Sequence, residues 1–512
     1  MAAPLLFTSA EIASFYSPGN NKKFNKESIA LINKKIEARK HTVEINHIVE
    51  CSKFDTIYCT SDIHSDLRKF IQMLQLSGLV RSEFDPYSGD DIYNPNLIAD
   101  MDWIAPPNTI LVIIGDLVDG KRVYDYRSIR QYRTMPLVNN FPDDTRGSFE
   151  LLLFTLLYNL RIKANQKGCE ILFTLGNHEH RTIITVPPQE FINKYIADEA
   201  IAFFDGNDTR KNVLLPFIKL SPYYLLSFRN GDVREIACVH GGLHTSDGGL
   251  TQDITNRLDD FQARVNNGDA NLSDIPDGIK NGPDAIWTRA YAEAPANKLC
   301  ESIEENSHNL IIVGHCPTNI PEGGPDSVMS TLLKQPKYDN CDHGSSPLDK
   351  RPGCVKIYCK GPEMHDAPRL AFVDVGLSRG QRYPTLPVPI GTLEISNKDR
   401  QAQILRLKHD PKLKDNRYYN IIERVTDINT IEPLYKEDVE PMRAPTNPTN
   451  AFGNLYRPNN ANAPLLGGSI KLSKRKSTRK STRKSIRKST RKSIRKSIRK
   501  SIRKSIRKST RK

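Results

Sequence analysis

An aspartate and a histidine two residues apart, Asp62 and His64 in the run T-I-Y-C-T-S-D-I-H-S-D, stand where an apolar segment gives way to polar residues. Strand side chains alternate with period two, so at a strand's C-terminal end the pair projects to one side, as half of a metal site. Four later stretches have the same form: Thr109 to Asp119, Glu170 to Glu179, Glu235 to Gly242 and Asn309 to His315. They add Asp116, Asn177, His240 and His315. Mixed oxygen and nitrogen donors suit two divalent or trivalent transition ions (Mn, Fe or Zn) better than a thiolate zinc site. Two ions ~3.5–4 Å apart clamp an in-line displacement at phosphorus and generate a nucleophile from water near neutral pH. Phosphate ester hydrolysis is the chemistry this set implies.

Such donors converge only if strands carry them to a common edge. From Asp55 the pattern alternates strand and helix: strand Thr56 to Thr60, amphipathic helix Asp66 to Leu76, strand Thr109 to Ile114, helix Phe149 to Asn165 and strand Glu170 to Leu175. The run T-I-L-V-I-I is apolar throughout, as in strands covered on both faces. Glu190 to Asn230 reads as a helical insertion ending in the strand Tyr223 to Phe228. Glu235 to Val239, Leu310 to Val313, Leu370 to Val373 and Ala402 to Leu407 read as further strands. This alternation predicts an α/β domain with a layered sheet and its catalytic residues at strand C-termini.

The expected organisation is an N-terminal helical extension over 1–54, with a helix from Lys26 to Arg39, and a catalytic domain over 55–435. A Pro- and Asn-rich linker over 436–470 and a disordered tail over 471–512 follow. The net charge of +15 is no average. Lys471 to the end holds 22 Lys and Arg and no acid, leaving 52 against 59 acidic residues, or −7, in the body. Ser477 to Lys512 is nine copies of S-T-R-K or S-I-R-K. Without aromatic residues and with mutually repelling charges, it lacks the apolar surface to offset ordering entropy. A polycation of this kind binds DNA or RNA nonspecifically by counterion release. Nuclear import and binding to anionic membrane are alternatives.

No run of ~18 apolar residues and no secretory leader pattern is present, so an intracellular, cytoplasmic or nuclear protein is expected. An enzyme with such a tail would suit a large DNA virus and its virion. The nine cysteines read as reduced thiols. Cys341, His343, Cys354, Cys359 and His365 fall close together but lack a C-x-x-C knuckle, and read as ordinary loop and strand residues.

Any one of these motifs alone is usually a turn holding a satisfied histidine. Five in order are a different matter. D-I-H (Asp62 to His64), G-D-L-V-D (Gly115 to Asp119), G-N-H-E (Gly176 to Glu179), H-G-G (His240 to Gly242) and G-H (Gly314 to His315) resemble the calcineurin-like metallophosphoesterases. Within them they look like the phosphoprotein phosphatases that act on serine and threonine. I-W-T-R at Ile286 to Arg289, L-G-N-H-E from Leu175 and V-D-V-G-L-S at Val373 to Ser378 look closest to the bacterial-type, Shewanella-like branch. The resemblance covers about Asp55 to Leu407 and implies a central β-sandwich flanked by helices. It implies one metal held by Asp62, His64 and Asp116, with Asp116 bridging to a second held by Asn177, His240 and His315. His178 becomes the general acid, oriented by Asp119, and Arg289 the phosphate grip.

Three departures stand out. Gly120 occupies the position of the family's phosphate-binding arginine, leaving Lys121 or Arg122 as substitutes. Ser61 and Ser65 replace the glycines flanking D-x-H, and Leu175 replaces an arginine before G-N-H-E. The expected function is therefore a dinuclear-metal serine/threonine protein phosphatase tethered to nucleic acid by its tail. The rivals are a phosphodiesterase or dinucleoside polyphosphate hydrolase, and a catalytically degenerate nucleic-acid-binding or packaging protein.

Overall fold

The apolar run T-I-L-V-I-I forms a fully enclosed strand, Thr109–Ile114, with all six residues buried. The computed structural model describes residues 6–17, 23–40, 46–82, 95–119, 148–243, 251–275, 286, 288, 291, 308–316, 327, 356–358, 368–374, 403–413, 417–427 and 429–436. The chain divides into two units, Met1–Pro441 and Met442–Lys512, and every described residue belongs to the first. The basic tail, the linker after Lys436, and Gly120, Lys121, Arg122 and Arg289 lie outside the described residues. So do Cys341, His343, Cys354, Cys359 and His365.

In chain order the strands are β1 (Ile48–Glu50), β2 (Thr56–Ser61), β3 (Val80–Arg81), β4 (Asp102–Trp103), β5 (Thr109–Ile114), β6 (Glu170–Thr174), β7 (Leu225–Asn230) and β8 (Val233–Val239). Then come β9 (His308–Val313), β10 (Lys356–Tyr358), β11 (Leu370–Phe372), β12 (Ile404–Lys408), β13 (Ile421–Asp427) and β14 (Thr430–Lys436). The helices are α1 (Ser9–Ala13), α2 (Ser28–Lys40), α3 (Leu67–Leu76), α4 (Pro95–Asp100), α5 (Phe149–Asn165), α6 (Gln189–Tyr195), α7 (Asp198–Phe204), α8 (Asn207–Ile218) and α9 (Thr251–Asn267). One sheet runs β14-β13-β12-β2-β5-β6, the other β1-β7-β8-β9-β11-β10. Strands β2, β5 and β6 are mutually parallel. So are β8, β9 and β11. The buried apolar residues of both sheets belong to one continuous core, and helices flank the sheets, so the layered β-sandwich expected from sequence is what forms.

Helix α5 explains how the first sheet is covered. Its sequence F-E-L-L-L-F-T-L-L-Y-N-L is apolar on nearly every face, and it is buried almost all round, against β6, α3 and α8. The N-terminal segment closes over it: Phe7, Ile12 and Phe15 are buried in the same core. The amide of Asn159 accepts from Phe7 N at 2.8 Å and donates to Phe7 O at 2.9 Å. A polar residue inside an apolar helix is thus satisfied by backbone from the chain's start.

A pH-sensitive feature lies at the start of β9. The buried His308 presents Nε2 to Ser227 Oγ at 3.1 Å, and burial, with Arg234 and Arg229 nearby and Asp259 opposing, lowers its pKa to about 3. The folded state therefore excludes a proton that the unfolded chain binds near 6.5. This contribution is full above pH 6.5 and is lost as pH falls towards 3. At pH 5 the loss is on the order of 2 kcal/mol. In denaturant titrations at pH 7.5 and pH 5, His308→Gln should show a gap between the two pH values smaller than the wild type's by about that amount.

Candidate metal centre and general acid

Each ligand candidate lies just past a strand end, and the two sheets bring those ends together. Asp62 follows β2, Asp116 follows β5, Asn177 follows β6, His240 follows β8 and His315 follows β9. Asp62, His64, Asp116, Asp119 and His315 have positive φ angles of 54°, 46°, 54°, 66° and 62°. Left-handed backbone in non-glycine residues costs about 1–3 kcal/mol each and persists only where surrounding structure enforces it. Period-two alternation is therefore not what aims Asp62 and His64 together. β2 ends at Ser61, and a left-handed turn swings both side chains to one point, His64 Nε2 lying 3.8 Å from Asp62 Oδ1.

The centre of the site is Asp116 Oδ2. It faces His240 Nε2 at 3.3 Å, His64 Nε2 at 3.7 Å and His178 Nε2 at 3.8 Å. Two three-donor clusters, His64 with Asp116 and His178, and Asp116 with His240 and His315, share this carboxylate, all five residues being buried. Asn177 Oδ1 lies 2.9 Å from His240 Nε2, and Asp62 Oδ2 accepts from His315 N at 2.9 Å. The structure thus brings Asp62, His64, Asp116, Asp119, Asn177, His178, His240 and His315 into one buried site.

The surroundings fix which imidazole nitrogen is offered. His240 Nδ1 lies 3.0 Å from Ile114 O and His64 Nδ1 3.3 Å from Val118 O. A ring whose Nδ1–H donates to a carbonyl turns its Nε2 lone pair to the centre, the usual outer arrangement of a metal-binding histidine. For His240 that lone pair faces the oxygens of Asp116 and Asn177. Such a cluster of acceptors is stable only with a proton or a cation among them, so the donor set fits transition ions. The electrostatics agree. Burial works against the imidazolium of His240, yet Asp116 and Asp62 push it up to about 10. Burial and the charge of Asp116 push Asp62 up to about 6. Asp116 itself, against burial, is held well below the carboxylate range by His240, His178 and His64.

Two outer carboxylates, given no role in the sequence reading, hold this arrangement. Glu179 accepts from Asp116 N (2.9 Å), Leu117 N (2.6 Å), Val118 N (3.0 Å) and Gly176 N (2.8 Å), tying the turn after β5 to the turn after β6. Burial and Asp116 push Glu179 up to about 7. Glu150 on α5 accepts from Asp119 N at 2.9 Å and pairs with Arg210 of α8. That guanidinium also reaches Asp119 Oδ1 at 2.7 Å. Burial opposes the charge of Arg210, but Glu150 and Asp119 raise its pKa above the ordinary arginine value. The motif G-N-H-E pointed at Glu179; for Glu150 and Arg210 only an acid and a base inside apolar helix faces gave a signal.

His178 stands apart from the other histidines. Its Nδ1 lies 2.8 Å from Asp119 Oδ2, so Asp119 anchors the ring and Nε2 is presented to the site. The ring of Tyr195 meets it edge to face at 5.2 Å. A buried imidazole braced by a carboxylate beside a transition-metal donor set is equipped to deliver a proton to a leaving oxygen.

Residues 56–341 match the family described as calcineurin-like phosphoesterase. No curated protein matches the sequence. Among solved structures the chain is similar to a cold-active protein tyrosine phosphatase, at 14% identity over 78% of this chain and 83% of that one, with a TM-score of 0.42. A cold-active protein-tyrosine phosphatase of a psychrophilic Shewanella species gives 13% identity, coverage of 76% and 82%, and a TM-score of 0.40. A serine/threonine phosphatase from Saccharomyces cerevisiae with similarity to human phosphatase PP5 gives 14%, 80% and 94%, and 0.37. All three TM-scores lie below 0.5, so the family match, not these likenesses, carries the function.

Proposed function

The chain belongs to the calcineurin-like phosphoesterases; from that premise we propose that it is a metal-dependent phosphatase that hydrolyses phosphate monoesters, with phosphoserine and phosphothreonine in proteins as its main substrates. The observation that carries this reading is the sharing of Asp116 by two donor clusters, one of which includes His178 braced on Asp119. Asp62, His64 and Asp116 would hold one ion, and Asp116, Asn177, His240 and His315 the other. When bound, two ions orient the phosphoryl group, neutralise its charge and make water a competent nucleophile near neutral pH. His178 then supplies the Nε2 proton to the departing alkoxide, and Asp119 keeps its Nδ1–H anchored meanwhile. Arg289 enters as a phosphate-gripping residue on its sequence motif alone, and Lys121 or Arg122 on its place beside Gly120. Planar guanidinium donors suit that task.

Charge supports a second part of the proposal: residues 471–512 tether the enzyme to nucleic acid. No helix among the described residues is long and apolar enough to cross a membrane. The experiment compares the full chain with a chain ending at Ile470, both loaded with manganese. It follows turnover of a phosphoserine peptide and of bis-para-nitrophenyl phosphate, and retention of duplex DNA. Monoester turnover in both proteins and salt-sensitive DNA retention only in the full chain are expected. Turnover of the diester alone would replace the phosphatase with a phosphodiesterase. Metal binding without turnover of either ester would leave a nucleic-acid-binding protein with a degenerate body.

A further inference from the structure

Both oxygens of the Asp119 carboxylate are committed. Oδ2 faces His178 Nδ1 at 2.8 Å, and Oδ1 accepts from Arg210 Nη2 at 2.7 Å. The Arg210 side chain is wholly buried. It places Nε 2.6 Å from Glu150 Oε2 and Nη2 2.8 Å from Glu150 Oε1. Glu150 Oε1 also accepts from Asp119 N at 2.9 Å. Asp119 is thus gripped at side chain and backbone by a guanidinium on α8 and a carboxylate on α5, two helices of the core. A carboxylate so held cannot rotate. Had Oδ1 been open to solvent or to another donor, the acid would have had several hydrogen-bonding arrangements, and His178 several orientations.

We propose that Arg210, seated on Glu150, is a positioning residue for leaving-group protonation: it locks Asp119 so that His178 is aimed at one point in the site. This rests on the reading of His178 as the general acid. In the step it serves, a water oxygen forms the new bond to phosphorus as the bond to the leaving oxygen breaks. The electron pair stays on the leaving oxygen, which takes the Nε2 proton of His178, leaving a neutral imidazole whose Nδ1–H still faces Asp119. Arg210 touches neither substrate nor the reacting atoms. A planar fork holds two carboxylates in one fixed geometry, which the rotatable donors of a lysine ammonium do not.

Leaving groups separate this role from a structural one. A good leaving group, as in para-nitrophenyl phosphate, departs with little protonation, whereas phenyl phosphate or a phosphoserine peptide needs the acid. The manganese-loaded full chain is compared with His178→Asn, with Arg210→Lys, and with the double variant Glu150→Gln/Arg210→Met, which leaves no uncompensated buried charge on that pair. The double variant should lose roughly 10²-fold in kcat on the poor leaving groups but under about tenfold on para-nitrophenyl phosphate, with KM steady. Arg210→Lys, which retains charge and volume, should fall between it and wild type. An equal loss on both substrate classes, or no loss, in folded variants with wild-type metal content would overturn the role of Arg210. If His178→Asn itself shows no leaving-group dependence, the general-acid reading beneath it fails instead.

Discussion

Asp116→Asn should abolish turnover while leaving the fold in place. The replacement keeps the volume of the side chain, and its Oδ1 can still accept from His178 N, as Asp116 Oδ1 does at 3.0 Å. What changes is the oxygen facing His64, His178 and His240. An amide nitrogen there would turn its hydrogens towards nitrogen donors that themselves seek a cation, and the shared anionic ligand of both clusters would be gone. A bound ion supplies several kcal/mol of transition-state stabilisation, so losing its shared ligand should lower kcat by at least on the order of 10³-fold. Metal analysis after dialysis against a weak chelator should find less than the wild-type content, while the far-ultraviolet circular dichroism stays unchanged. Wild-type metal content with intact turnover would remove Asp116 from the centre of the site.

Why Asp116 was visible from sequence, and its supports were not, follows from the distances along the chain over which each acts. The strands β2, β5, β6, β8 and β9 each end in the residues they deliver, so one local pattern gives element and ligand together. Alternation of apolar strands with helices gave the layering for the same reason. Arg210 meets Asp119 across 91 positions and Glu150 across 60, contacts that no local spacing encodes. The hairpin of β13 and β14 went unread because Pro433 interrupts the second strand's alternation. In the structure β14 is an edge strand with an irregular register, and edges and bulges are places where a sheet accepts a residue without an N–H. Helix α9 was missed as well, its many polar residues diluting the apolar stripe that includes Ile254, Leu258 and Phe261. The period-two argument brings Asp62 and His64 to one side, as the structure does, but by the wrong geometry. The sequence reports that a carboxylate and an imidazole follow a strand, but left-handed backbone at non-glycine residues is set by packing.

Gly176→Ala is expected to damage the centre almost as severely as loss of a ligand, although glycine contributes no donor. A Cβ at this position would stand 2.2 Å from Asp116 Oδ1 and 2.5 Å from Asp116 N. Neither neighbour can yield cheaply. The peptide nitrogen of Asp116 is fixed by Glu179 Oε2, which also holds Gly176 N itself, and Asp116 Oδ1 is engaged by His178 N. The methyl group must therefore push the turn after β5 away from the turn after β6, moving Asp116 relative to Asn177 and His240. A displacement of about 1 Å in a positioned group costs on the order of 10²-fold in rate. Gly168→Ala is the control. Its φ is +72° with nothing within 4 Å of the added methyl, so it carries backbone strain of about 1–2 kcal/mol and no clash. Thermal melts and turnover should then diverge: Gly168→Ala lowers the melting temperature but keeps metal content and kcat, whereas Gly176→Ala loses kcat and metal together. Full activity in Gly176→Ala would mean that the two turns can separate without disturbing the donors, and that the close approach of Gly176 to Asp116 is no requirement of the site.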